Sequence, residues 1–349
     1  MKAQIIGLGW VTPLGRDLQT VYQSVLNGRK PVTSPVPESN NQQVYRVPAD
    51  TIADALALPR LRRSSAISHF AVAAAIDAVA QAGLTEEQLA RTTLIFTASD
   101  GGVIYTRRFY GDVVEHGPGS GSPLLFPETV YNAPASHVAG TVGLSGEVLT
   151  LVGDSSTTLS ALNMGVEALQ MPDVDFCLIV ASQEMDWISA EAYDRWGLIN
   201  GEAPEAACFS EGAAAIVLAQ EGKGLAEIGL SHPGLSYGTS DEVTRSLLAI
   251  FDQISPPPDL IISSTSGTHF DQTEELAYQE AFPGVPAISP KMSLGDALSA
   301  SSLQHVILGT LFIHHGIHRR ILIPVAGFNG QASALLLTES TPQTDSVIA

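Results

Sequence analysis

Residues 147–170 read EVLTLVGDSSTTLSALNMGVEALQ, and the fold turns on how that stretch is parsed. After Glu147 come Val-Leu-Thr-Leu-Val, apolar or β-branched throughout, the composition of a strand. The turn Gly153-Asp154-Ser155 follows. From Ser156 to about Gln170, Leu159, Leu162, Val166 and Leu169 return at helical spacing and form one apolar face. A strand, a tight turn and a helix in direct succession form the repeating unit of an α/β sheet. Asp and Ser in the turn are preferred helix N-caps. The same position offers a side chain free backbone N–H groups and the positive end of the helix dipole, which lower a nucleophile's pKa and bind an oxyanion. Local sequence leaves the cap and the nucleophile readings even.

Outward from this unit, the chain alternates strands and helices. Residues 3–8 form a strand closed by Gly9, and 18–26 a helix stopped by Gly28. Residues 31–50, with Pro31, Pro35, Pro37 and Pro48, read as loop. Residues 64–82 place Ile67, Phe70, Ala71, Ala74, Ala75, Ala78 and Ala82 on a helical face ended by Gly83, and so much alanine implies close backbone packing. Strands are predicted at 93–98, 176–181 and 213–219, and a flexible loop at 117–122. A second half repeats the plan. It has a strand at 225–230, a helix at 241–254, a break at Pro256-Pro257-Pro258, a strand at 260–263 and a helix at 272–281. Another strand–turn–helix unit runs from 289–295 into a helix at 297–315, and strands at 321–324 and 332–337 close the sheet. This order predicts an α/β protein with buried strands and an internal duplication, residues 1–222 and 223–349, with a disordered tail after 339.

Composition sets limits on function. The 349 residues carry 36 acidic and 17 basic side chains, 17 − 36 = −19 in formal charge, and 45% of them are hydrophobic. Such a chain packs as a globule. Its acidity argues against a nucleic-acid binder and against docking on an anionic membrane. Two cysteines, Cys177 and Cys208, exclude a disulfide framework and a four-cysteine zinc site. The N-terminus, broken by Gly7, Gly9 and Pro13, is a poor signal peptide, and no apolar run reaches the roughly 18–20 residues of a membrane helix. A cytoplasmic protein is expected.

Three motifs favour the plainer reading. Gly7-x-Gly9 has Thr12 where a dinucleotide loop needs its third glycine, so it reads as a tight strand exit. Gly234-Leu235-Ser236-Tyr237-Gly238 matches a nucleophile elbow, but Pro233 precedes it and the next helix starts near Asp241, which makes it a loop. His314, His315 and His318 fall at a helix C-terminus, favourable for cations, with no carboxylate at ligand spacing.

The chain as a whole resembles the β-ketoacyl-acyl-carrier-protein synthases, condensing enzymes of the thiolase fold. Matching segments run in order from residue 3 to 338. Ile5-Ile6-Gly7-Leu8-Gly9-Trp10-Val11-Thr12-Pro13-Leu14-Gly15 is similar to the family's opening strand and loop, continued by Tyr22, Leu26 and Gly28. Arg63, Ala82-Gly83-Leu84, Asn132-Ala133-Pro134-Ala135, Gly143, Gly146 and Glu211-Gly212-Ala213-Ala214 follow. The second half matches at Gly267-Thr268, Asp271, Glu274, Lys291, Gly295 and Gly327-Phe328-Asn329-Gly330. The resemblance implies a duplicated, thiolase-like fold layered α-β-α-β-α. It makes Lys291 and Glu274 a paired lysine and glutamate that order the site, and Phe328 a gating phenylalanine. No cofactor and no metal are implied.

The departures fall on the chemistry. Where the family has a catalytic cysteine this chain has Ser155; where it has its two histidines stand Ser264 and Asp296. A thiolate forms readily at a helix N-terminus, and histidines stabilise the enolate of decarboxylation. A serine needs a positioned base that Ser264 does not supply, and Asp296 repels an anionic malonyl group. His269 lies just past the usual histidine position. Kept fold and lost catalysis resemble the chain-length factor of type II polyketide systems, which pairs with an active ketosynthase and shapes the acyl tunnel. Short, divergent partners of this kind resemble those of aryl-polyene pathways, and here the segment between Leu198 and Ala213 is abbreviated. The resemblance places residues 106–132 beside the tunnel at the dimer interface, with Phe109, Tyr110, Leu124, Leu125 and Phe126 as bulky members. Basic clusters are confined to Arg60–Arg63 and Arg319-Arg320, so docking of an acidic acyl carrier protein is expected through the partner. The alternative is a serine-dependent acyltransferase or divergent synthase with Ser155 as nucleophile.

Overall fold

The structure is a computed structural model and describes residues 3–39, 42–198, 207–222, 224–268 and 271–340. Its strands are β1 (Ala3–Val11), β2 (Thr33–Pro35), β3 (Gln43–Tyr45), β4 (Thr92–Ala98), β5 (Val148–Val152), β6 (Phe176–Gln183), β7 (Phe209–Ser210), β8 (Gly212–Ala219), β9 (Ala226–Ser236), β10 (Leu260–Ile262), β11 (Ala287–Ile288), β12 (Arg320–Gly327) and β13 (Gln331–Thr338). Its helices are α1 (Leu18–Leu26), α2 (Ala53–Leu56), α3 (Ala66–Ala82), α4 (Glu86–Ala90), α5 (Val103–His116), α6 (Ala133–Val142), α7 (Ser155–Ala168), α8 (Trp187–Arg195), α9 (Ser240–Phe251), α10 (Asp271–Ala281), α11 (Lys291–Leu294) and α12 (Ser299–His314).

Ten strands form one sheet in the order β11-β10-β12-β13-β9-β1-β8-β6-β4-β5. The duplication is legible in that order. In the first half the strands run third-second-fourth-fifth-first, and in the second half they do the same. The pairing senses also repeat: β5–β4 and β4–β6 are parallel, β6–β8 and β8–β1 antiparallel. Likewise β11–β10 and β10–β12 are parallel, β12–β13 and β13–β9 antiparallel. The halves join at their first strands, where Ala3 pairs with Ile228 and Ile5 with Ala226.

Helices α7 and α12 lie at the centre, in a core shared with strands of both halves. Helices α3 and α6 cover the outer face of the first half and α9 and α10 that of the second. This is the α-β-α-β-α layering of the thiolase-like fold. Among the described residues no helix is long and apolar enough to cross a membrane.

Several local expectations are corrected. Gly7 and Gly9 are not a strand exit, because β1 continues to Val11. A Cβ on Gly7 would stand 2.2 Å from the Ala78 carbonyl oxygen, and one on Gly9 2.1 Å from that of Ala74. The glycines, with the alanines of α3, let helix and strand backbones touch. Residues 234–236 belong to β9 rather than to a loop. Within 31–50, β2 and β3 pair with each other, and β3 with β7, in a small sheet. Strands of two or three residues carry no periodicity, and the β7 partner is remote in sequence.

Candidate active site

Two helices of different halves point their N-termini at each other. On α7, Asp154 is the N-cap, its Oδ1 accepting the Ser156 N–H at 2.9 Å. Ser155, the first residue of the helix, is buried, and its Oγ donates to the Leu298 carbonyl at 3.1 Å. Leu298 precedes α12 with φ +51°, a conformation unfavourable to a residue with a side chain. Thr158 donates to the Ser299 carbonyl at 2.7 Å, and Ser302 to that of Ser155 at 2.8 Å. Facing N-termini concentrate positive dipole ends, and a carboxylate stands at each.

At α12 that carboxylate is Asp296. Its Oδ1 accepts the Leu298 N–H at 2.9 Å, and its Oδ2 lies 2.8 Å from Lys291 Nζ. The two side chains are 2% and 5% exposed, so this is a buried ion pair. Glu274, expected as the partner of Lys291, is otherwise engaged. It accepts the Ser264 N–H and the Ser263 hydroxyl, each at 2.8 Å, together with the Ser264 hydroxyl. Burial pushes the Glu274 carboxyl upward. Asp271 takes the Ser266 and Gly267 N–H groups, which fixes the loop after β10.

The sequence thus names residues that meet. Ser155, Ser264, Glu274, Lys291 and Phe328 line one cavity, and Asp296 adjoins it through Lys291. The cavity measures about 10 Å³, near the limit for a single water. Lys291 is the one cation among its described lining residues, against Asp271 and Glu274. Ser155 has a carbonyl for its hydrogen-bond partner, not a base. His269 and residues 199–206 lie outside the described residues. Among the described residues no cluster suited to a metal ion occurs.

Phe109, Tyr110 and Phe126 sit elsewhere. Phe109 contacts the other two rings at centroid distances of 5.3 and 5.6 Å. The group lies on the surface, with Tyr110 56% and Phe126 55% exposed. In the single chain these rings are not part of the buried core.

Sequence reasoning missed an aromatic cover beside the cavity. Tyr193 packs against Phe209 and Phe328 at centroid distances of 5.3 and 6.4 Å. Its hydroxyl donates to Asp100 Oδ1 at 2.9 Å, and burial, then Asp100, push its pKa up. No local signal marks Tyr193, since its partners come from β7, the turn between β12 and β13, and the loop after β4.

A duplicated five-layer α/β fold with its two central helix N-termini facing each other is the thiolase-like fold of the condensing enzymes, and here Ser155 stands at one of those N-termini. Within it, the model of the β-ketoacyl synthase N-terminal domain matches residues 2–224, and the chain belongs to that family. It is 24% identical over 378 aligned positions to 3-oxoacyl-[acyl-carrier-protein] synthase 1 of Escherichia coli, covering 97% of this chain and 93% of that protein. It is 26% identical over 190 positions to 3-oxoacyl-[acyl-carrier-protein] synthase 2 of Coxiella burnetii, spanning 53% of this chain and 46% of that enzyme. Among solved structures, the ishigamide ketosynthase/chain length factor superposes with a TM-score of 0.85 at 19% identity, over 97% of this chain and 99% of that one. A β-ketoacyl synthase from Burkholderia phymatum gives 0.86 at 17% identity, over 97% and 100%.

Proposed function

We propose that the chain is a catalytically degenerate β-ketoacyl synthase-like subunit that pairs with an active ketosynthase. In this reading it acts as a chain-length factor in fatty-acid or polyketide-type biosynthesis. The observation that carries the reading is the buried Lys291–Asp296 pair. An aspartate holds a histidine's place, and its charge is spent on the lysine beside it. Among the described residues Ser155 has a carbonyl for its hydrogen-bond partner, the Glu274 carboxylate is taken up by Ser263 and Ser264, and the cavity they share is small.

Pairing is supported by the edge strand β5, which ends the sheet with Val148 and Val152 exposed, and by the nearby exposed Tyr110, Leu124, Phe126 and Tyr131. An open edge beside an apolar surface is a place for another chain. Phe109, Tyr110 and Phe126 are then tunnel-facing residues at the interface, and carrier-protein docking falls mainly to the partner. Co-expression with an intact ketosynthase tests this. A stable 1:1 complex is expected. A chain that stays monomeric with every candidate, or that forms only a homodimer, sinks the reading.

A further inference from the structure

We propose that Asp154 is a positioning residue that latches the turn carrying Phe328 over Ser155. A helix N-cap needs one side-chain oxygen, and Asp154 supplies Oδ1, which accepts the Ser156 N–H at 2.9 Å and the Ser156 hydroxyl at 2.6 Å. The second oxygen leaves the helix altogether. Oδ2 accepts the Asn329 N–H at 2.6 Å, across to the turn between β12 and β13.

That turn is shaped around the carboxylate. A Cβ on Gly327 would fall 2.5 Å from Oδ2, so the carboxylate occupies the space of the missing side chain. Phe328 stands between Gly327, which packs against the Asp154 carboxylate, and Asn329, which is hydrogen-bonded to it, and Phe328 lines the cavity at Ser155. The turn is also tied from its other side, where Tyr237 donates its N–H to the Gly330 carbonyl at 2.8 Å and its hydroxyl to that of Gly327. Those bonds anchor the turn to the end of β9. Asp154 anchors it to the helix that carries Ser155, and so sets whether the ring stays closed over that residue.

The inference rests on the reading of Ser155 as a shut, non-reacting position, and it is tested by access and not by turnover. Ser155→Cys, in a Cys208→Ser background, places a thiol there. The rates of modification by a small alkyl methanethiosulfonate and by a bulky aryl maleimide are then compared. A change in thiol acidity alters both rates together, whereas an opened gate admits the bulky reagent selectively. Adding Asp154→Ala is expected to raise the bulky-to-small ratio about tenfold, the order of a gate released from one charge-assisted hydrogen bond. Gly327→Ala, which keeps the N-cap but drives the turn off the carboxylate, is expected to raise it as well, and it carries the test if Asp154→Ala does not fold. An unchanged ratio in folded variants overturns the latch and leaves the partner reading standing. Turnover of carrier-bound substrates by the unlabelled chain with Ser155 intact, lost in Ser155→Ala, sinks the partner reading and not the latch.

Discussion

The pocket at Ser155 and the face built from α5, residues 118–131 and β5 differ in where their bonding is completed. In the pocket each carboxylate is served by the chain itself: Asp296 by Lys291, Glu274 by Ser263 and Ser264, Asp154 by Ser156 and Asn329. The outer face is the reverse. Helix α5 buries none of its residues, and β5 offers an unpaired edge. A site closed on itself has little left for a substrate, and a face left open lacks a partner. On the proposed reading, this contrast is what a subunit that works through its surface should display.

The largest expected effect comes from breaking the face. Tyr110→Asp with Phe126→Asp removes two exposed aromatic rings at the centre of the proposed interface. At about 2 kcal/mol or more each, association with the ketosynthase should weaken by about a thousandfold or more in sedimentation experiments. The melting temperature of the chain alone should barely move. A collapse of the fold instead would mean these rings are structural.

The pocket should respond in the opposite way. Lys291→Met leaves Asp296 buried without its cation and should cost the fold about 3–5 kcal/mol in urea denaturation. Combining it with Asp296→Leu should restore most of that. A single variant with wild-type stability would contradict the buried pair.

A third prediction concerns pH. Burial raises the Glu184 carboxyl from 4.5 to about 7, and raises Asp100, Glu211 and Glu274 in the same direction. A carboxyl whose pKa is higher folded than unfolded holds its proton better in the native state. Its stabilising contribution is complete below the unfolded pKa and disappears as pH rises through the folded one. Between these values Glu184 should lower stability by about 1.4 kcal/mol per pH unit. Urea titrations should therefore show the chain falling in stability from pH 5 toward pH 7, with a shallower slope in Glu184→Gln. A rising slope attributable to Glu184 would refute its burial.

The smallest effect belongs to Phe109→Ala. The ring is half-buried on an open face, so the isolated chain should lose about 1 kcal/mol or less. In the complex the product should lengthen if the ring closes the tunnel, and unchanged length with an intact complex would remove it from the wall.

What was legible follows from range. The strand–turn–helix at 147–170 and the alanine helix were readable because their periodicity is local. Helix α5 was not read from its residues, since a helix that buries none of them has no apolar stripe to display. Ser155, Ser264, Glu274, Lys291 and Phe328 were found by resemblance, and the fold does bring them to one cavity. The Lys291–Asp296 pair and the Asp154–Asn329 bond were missed because a spacing of five or of 175 residues announces no contact until the turns around it are set.

The central claim is that Ser155 does no chemistry. The most direct test is condensation of acyl and malonyl carrier-protein thioesters, followed by mass spectrometry of the carrier. The purified chain alone is expected to give no product. Its complex with an active ketosynthase is expected to condense at the same rate with Ser155 or with Ser155→Ala. Turnover by the chain alone that disappears in Ser155→Ala would contradict the account and make the protein a serine enzyme.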